Sequence, residues 1–86
     1  MAYFAEIDEN NVVLQVIGIS DADCGGDDFP ESEPIGQWFI ESCGIAGNWL
    51  QTSEDELYRG LYAGVGYTYD PITDQFIAPI DEEITE

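Results

Sequence analysis

The chain has no lysine, no histidine and a single arginine, Arg59, among its 86 residues. Without His or Lys there is no ordinary base to set beside a serine or cysteine nucleophile, which removes the usual acyl-transfer constellations. Against that lone cation stand 19 Asp and Glu, for a formal charge of −18. A surface so acidic repels phosphate backbones and anionic headgroups, so direct binding to nucleic acid or to a membrane is not expected. Two cysteines, Cys24 and Cys43, are too few for a disulfide framework or a structural zinc site. They are expected as reduced thiols with Cys43 packed inside, a single bridge between them being left open. The longest apolar run, Val12 to Ile19, is broken by Gln15 and Gly18 and falls well short of the ~20 residues that cross a bilayer. The opening MAYFAEIDENN has neither a basic n-region nor an apolar h-region, so a soluble product made in a cytoplasm is expected.

What the chain does have is apolar and aromatic substance: 44% hydrophobic residues, with two Trp, five Tyr and four Phe. Large rings supply much buried area per residue, which argues for a folded domain and against a disordered acidic tail. The length suits one small domain, expected over residues 1–80, with an acidic tail at 81–86.

Tyr3 to Ile7 and Val12 to Ile19 are strand-like, and the Asp8-Glu9-Asn10-Asn11 cluster between them makes an N-terminal β-hairpin. Ser32-Glu33-Pro34 reads as a helix start, with Ser32 as cap. Ile35, Trp38 and Phe39 recur at helical spacing and are expected to form the buried face, while Gly44 stands where a helix commonly stops. Asn48 to Thr52 reads as a third short strand. Gly64 to Tyr69 and Gln75 to Ala78, joined by Asp70-Pro71-Ile72-Thr73-Asp74, read as a second hairpin. The expectation is a small α+β domain: two antiparallel hairpins plus a short strand, with one helix packed on the sheet.

Three features are candidate sites. The stretch Asp21-Ala22-Asp23-Cys24-Gly25-Gly26-Asp27-Asp28 partly imitates a calcium loop, with Asp21, Asp23 and Asp27 as oxygen donors and Gly26 at the turning position. It has Ser32 where a bidentate Glu would close the loop and a strand where a helix would precede it. It therefore reads as an acidic surface loop, with calcium as the alternative. Tyr58, Tyr62, Tyr67 and Tyr69 could form an exposed recognition patch, since tyrosine offers a rigid ring with a polar end. The alternative is that Tyr67 and Tyr69 simply share one packed sheet face. Arg59 is expected to pair at the surface with the neighbouring Glu54-Asp55-Glu56 cluster, or else to anchor a partner carboxylate. Gly64-x-Gly66 continues as a strand and does not open a helix, unlike a phosphate-binding loop. No catalytic set and no cofactor is expected.

The motif order carries a resemblance. Met1 to Ser20 fits a MAxFAxxDxNNxVxxVIxxS hairpin, Trp49, Gln51, Thr52 and Ser53 fit a W-x-Q-T-S strand, and Tyr62 to Asp70 fits Y-A-G-I-G-Y-T-Y-D, followed by Asp74, Phe76 and Pro79 as D-x-F-x-x-P. This ordered set resembles a family of small proteins from marine bacteriophages, cyanophages in particular. Longer members carry an insertion after Q-T-S, where this chain has the short acidic stretch Glu54 to Leu61. The resemblance implies a phage origin and a particle component; with no catalytic set among the residues, the expectation is a non-enzymatic virion structural or decoration protein. It would be synthesised in the host cytoplasm, dock on a larger capsid or tail protein, and form part of a larger assembly. The charge supports a second expectation, an acidic DNA mimic that inhibits a basic, nucleic-acid-binding host protein.

Overall fold

The computed structural model describes residues 1–79; the expected acidic tail, 81–86, lies outside the described residues. Over the described residues the protein is a small α+β fold with one α-helix and two antiparallel sheets. Strands β1 (Ala2–Ile7), β2 (Val13–Ile19) and β3 (Asn48–Thr52) form the main sheet in the order β2-β1-β3. The second sheet is the hairpin of β4 (Thr68–Asp70) and β5 (Gln75–Ile77).

The first hairpin turns where the Asp-Glu-Asn-Asn cluster stands. Asp8 Oδ1 accepts the amide hydrogens of Asn10 and Val12 at 2.8 and 3.0 Å, so a side chain does the work of a backbone turn. Asn11 takes the left-handed conformation that asparagine tolerates. A register shift beyond Glu6 leaves Leu14 as an extra residue, giving Glu6–Gln15 and then Ile7–Val13.

Both faces of the main sheet are covered. On one, Ala2, Phe4, Ile19 and Trp49 pack with Cys24 and Ile40 beneath helix α1 (Ser32–Ser42). On the other, Ala5, Ile7 and Val13 pack with Ala63 and Phe76, flanked by Val16, Leu50, Tyr67 and Tyr69. The period-two alternation of β1 divides it between these two cores: Phe4 is fully buried on one side and Ala5 on the other.

Several expectations are corrected here. The helix does not bury Ile35, Trp38 and Phe39 as one face. Its buried residues are Ser32, Gly36 and Ile40, while Phe39 is half-buried and Trp38 is 67% exposed. The stripe at i, i+4, i+8 wins because small residues let the helix approach the sheet: a Cβ on Gly36 would lie 2.7 Å from Phe4 Cε1 and 3.1 Å from Cys24 Sγ. Ser32 is not the cap; it lies inside the helix and donates through Oγ to Gln51 Oε1 at 2.7 Å. The stop at Gly44 is as expected. Gly44, in the left-handed region, donates to Glu41 O, and Ile45 donates to Ile40 O, closing the helix in a Schellman motif.

The thiols are reversed relative to expectation. Cys24 is buried, Cys43 is exposed, and both are free. Cys24 ends a single 3-10 turn (Asp21–Cys24) within the loop after β2, and that turn presses its thiol under the helix. The second hairpin is shorter than Gly64 to Tyr69 suggests. Tyr67 donates its amide to Gly64 O in a turn, so the strand begins only at Thr68.

Candidate functional site

The chain's one cationic side chain organises the most densely connected group of polar residues in the fold. Arg59 follows the turn after β3 and holds a left-handed backbone conformation, which costs a non-glycine residue about 1 kcal/mol or more and persists only where the surroundings hold it. Those surroundings are visible. The guanidinium engages both oxygens of Glu33: Nη1 donates to Oε2, and Nη2 to Oε1 at 3.2 Å. Its Nε donates to Asp74 Oδ1 at 2.9 Å, and Nη1 also reaches the carbonyl of Gln51 at 3.1 Å. The planar group lies 5.1 Å from the centre of the Phe29 ring and 5.7 Å from that of Tyr69, within cation–π range.

Three separate pieces of chain are joined in this way: the first turn of α1 through Glu33, the edge of β3 through Gln51, and the β4-β5 turn through Asp74. The Arg59 side chain is only 10% exposed and that of Glu33 15%. This overturns the expected surface bridge to Glu54-Asp55-Glu56, all of which are exposed. Burial works against the guanidinium charge, yet hydrogen bonds and attraction from Glu33, then Asp74, hold its pKa above the usual arginine value.

The same group closes an edge. Glu33 Oε2 accepts the Gln51 amide at 2.8 Å while Arg59 takes the Gln51 carbonyl. The Glu–Arg pair thus replaces a neighbouring strand. Gln37 Nε2 donates to the Trp49 carbonyl, so both outward-facing residues of β3, Trp49 and Gln51, meet side chains on the outer edge, while the Tyr58 hydroxyl donates to the Thr52 carbonyl at the strand's end.

The four tyrosines proposed as a patch are divided. Tyr58 stacks face to face on Phe29, with ring centres 3.9 Å apart, beside Arg59. Tyr69 donates its hydroxyl to Asp74 Oδ1 at 2.5 Å and packs on Phe76, so it belongs to the same group. Tyr62 meets Tyr3 edge-on at 5.7 Å. Tyr67 packs against the second core. Burial raises the phenol pKa of both Tyr58 and Tyr69, and for Tyr69 the hydrogen-bonded Asp74 carboxylate adds to it. Asp74 is held below the usual carboxylate range, first by the Tyr69 phenol and then by Arg59.

The acidic loop is engaged differently from a calcium loop. Asp23 Oδ2 accepts from Ser20 Oγ at 2.9 Å, and Asp21 Oδ2 lies 3.0 Å from the amine of Met1. Asp27 is exposed further along the loop. Among the described residues, no group of three or more acidic, His or Cys side chains is placed to hold a metal ion. Asp21, Asp27 and Asp28 do come together with Glu54 and Asp55 around an open concavity of about 510 Å³, walled by Tyr3, Phe29, Leu57 and Tyr58.

Glu33, Asp74, Gln51 and Phe29 are not among the site residues expected from the sequence. The available signal was that a single buried arginine must find a carboxylate, but which of 19 it would find depends on the fold.

Comparison with protein-family models, with curated proteins and with solved structures finds no match. The fold and the Arg59 group therefore stand on their own geometry.

Proposed function

We propose that the protein is a non-enzymatic docking module that attaches to the basic surface of a larger protein. In the setting its motif order resembles, this is a decoration or structural component carried by a phage capsid or tail protein. The observation that carries the reading is the withdrawal of Arg59. With the sole cationic side chain locked between Glu33 and Asp74, the remaining side-chain charge on the described surface is all of one sign. Such a surface keeps copies apart and directs encounter toward basic patches. Exposed Trp38, Leu57, Val65 and Ile72 offer apolar contact area within it. Mass spectrometry of purified particles tests the setting. A protein abundant in infected cells yet absent from purified virions would overturn it.

A specific observation favours a second reading, the DNA-mimic inhibitor. Carboxylates far apart in sequence, Asp21, Asp27 and Asp28 with Glu54 and Asp55, converge around one concavity, as a mimic of a phosphate track requires. Competition with duplex DNA for a basic DNA-binding protein separates the two readings. Displacement of DNA that is lost when Asp27, Asp28, Glu54 and Asp55 are changed to Asn and Gln favours the mimic.

A further inference from the structure

The two edges of the main sheet are treated differently. Because β3 turns the Gln51 amide and carbonyl outward, the paired residue Phe4 does not bond to β3 and exchanges its bonds with Ile17 of β2. Residues of β2 one place either side of Ile17, namely Val16 and Gly18, then direct their amide and carbonyl groups away from the sheet. Earlier in the strand the outer edge is occupied: Val13 donates to Tyr67 O and accepts from Gly66, and Asn11 O accepts from Tyr69. At Val16 and Gly18 no such partner occurs among the described residues.

Side chains follow the same division. The outer edge of β3 is covered by Glu33, Gln37 and Arg59, whereas β2 (VLQVIGI) has no charge and no proline, and among the described residues no side chain hydrogen-bonds to the Val16 or Gly18 backbone. Natural sheets protect open edges with charge, proline or a covering element. An uncharged, uncovered edge opposite a carefully closed one points to use.

Resting on the docking reading above, we propose that the Val16–Gly18 edge accepts a neutral β-strand with basic flanks from the partner protein, added to the main sheet beside β2. Main-chain bonds to Val16 and Gly18 supply the pairing. The basic flanks match the charge beyond the edge: Asp21 and Asp23 in the turn after β2 and, past the covering Gly66–Tyr69 segment, Asp8 and Glu9 in the turn before it. A second copy fits less well. It would bring another −18 charge, and the Gly66–Tyr69 segment already covers the outer edge at Asn11 and Val13 in each copy.

The experiment is amide-resolved NMR and hydrogen exchange on the full chain at low salt, with two synthetic peptides. One alternates threonine and valine between paired lysines; the other has the same charge but is interrupted by prolines and cannot pair as a strand. The strand peptide is expected to shift and protect the Val16 and Gly18 amides, leaving those of Ile17 and Ile19 unchanged, and to bind more tightly than the interrupted one. Gly18→Pro, which removes one outward amide, should weaken it about tenfold, with Gly18→Ala as control. The protection readout on the unaltered protein does not depend on either variant folding. Equal binding of both peptides, with shifts confined to the acidic loops, overturns the edge proposal and leaves the docking reading intact. Binding of neither peptide overturns both. Protection of both amides in dilute free protein shows the edge already filled, and protection that rises with protein concentration alone assigns it to a second copy; either result overturns the proposal.

Discussion

Replacing Arg59 by methionine isolates what the one cation does. The methionine stem can keep much of the apolar contact with Phe29 and Tyr69, while the charge and all four hydrogen bonds of the guanidinium disappear. Glu33, 15% exposed, is left facing the β3 edge without a counter-charge. Breaking a buried pair by removing one partner costs about 3–5 kcal/mol, and the orphaned Gln51 carbonyl adds about 1 kcal/mol. A chain of this length is stable by roughly 4–13 kcal/mol in total, so a third or more of the stability is at stake. Urea unfolding followed by circular dichroism measures it. Arg59→Met is expected to lower the unfolding free energy by about 4–6 kcal/mol, and Arg59→Lys by about half as much, because an ammonium cannot bridge Glu33, Asp74 and Gln51 together. Adding Glu33→Gln to Arg59→Met should restore at least about 1 kcal/mol, since the uncompensated charge is then gone. The loss should persist in molar salt, which relieves the general repulsion of a −18 chain but hardly reaches a buried pair. A loss below about 1 kcal/mol, or one abolished by salt, would refute the argument that this pair holds helix, sheet edge and hairpin together.

Gly36→Ala improves helix propensity by about 1 kcal/mol, yet its methyl would press on Phe4 and on Cys24. A net fall in thermal midpoint equivalent to about 1–3 kcal/mol is expected, and a rise would show that the helix can back away freely. Thiol titration of the native protein should find one fast cysteine, Cys43. Cys24 should react only on unfolding, because burial and then the Asp21 and Asp23 charges raise its pKa; two equally fast thiols would contradict the burial. The Tyr69–Asp74 pair carries a pH dependence of definite sign. The raised Tyr69 pKa contributes stability that is present below about pH 10 and lost as pH rises through the folded value, and the depressed Asp74 pKa contributes stability present above about pH 4 and lost as pH falls through its folded value. Urea midpoints of the native protein minus those of Tyr69→Phe should shrink in both directions, and a difference independent of pH would refute the coupling.

Much of the main sheet was legible because its signals are local. The Asp-Glu-Asn-Asn turn forms bonds between residues two and four apart, and the β-branched run of β2 can hardly be anything but a strand. Gly44 likewise marks a stop for reasons contained within the last helical turn. The orientation of the helix was not legible, because Ile35, Trp38 and Phe39 outrank Ser32 and Gly36 on any scale of hydrophobicity. What decides the face is the shape of the opposing surface: Phe4 and Cys24 fill the space in which a larger residue at position 36 would have to fit. A glycine in a helix, destabilising by propensity alone, is the trace such a close approach leaves.

The pairing of Arg59 shows the same limit from the side of charge. Nearness in sequence favoured Glu54-Asp55-Glu56, but those carboxylates remain exposed, where attraction is weakened by water and gains little. Glu33, 26 residues away, and Asp74, 15 residues away, meet the guanidinium where it is shielded and where an edge strand needs both a donor and an acceptor. Their advantage therefore comes from burial and from the unmet Gln51 backbone groups, neither of which exists before the chain folds. It follows that one arginine can be retained in a strongly acidic chain without moderating its surface charge: the residue is used internally to close β3. On the docking reading proposed above, the partner-facing properties fall to the exposed acids and to the uncharged edge of β2.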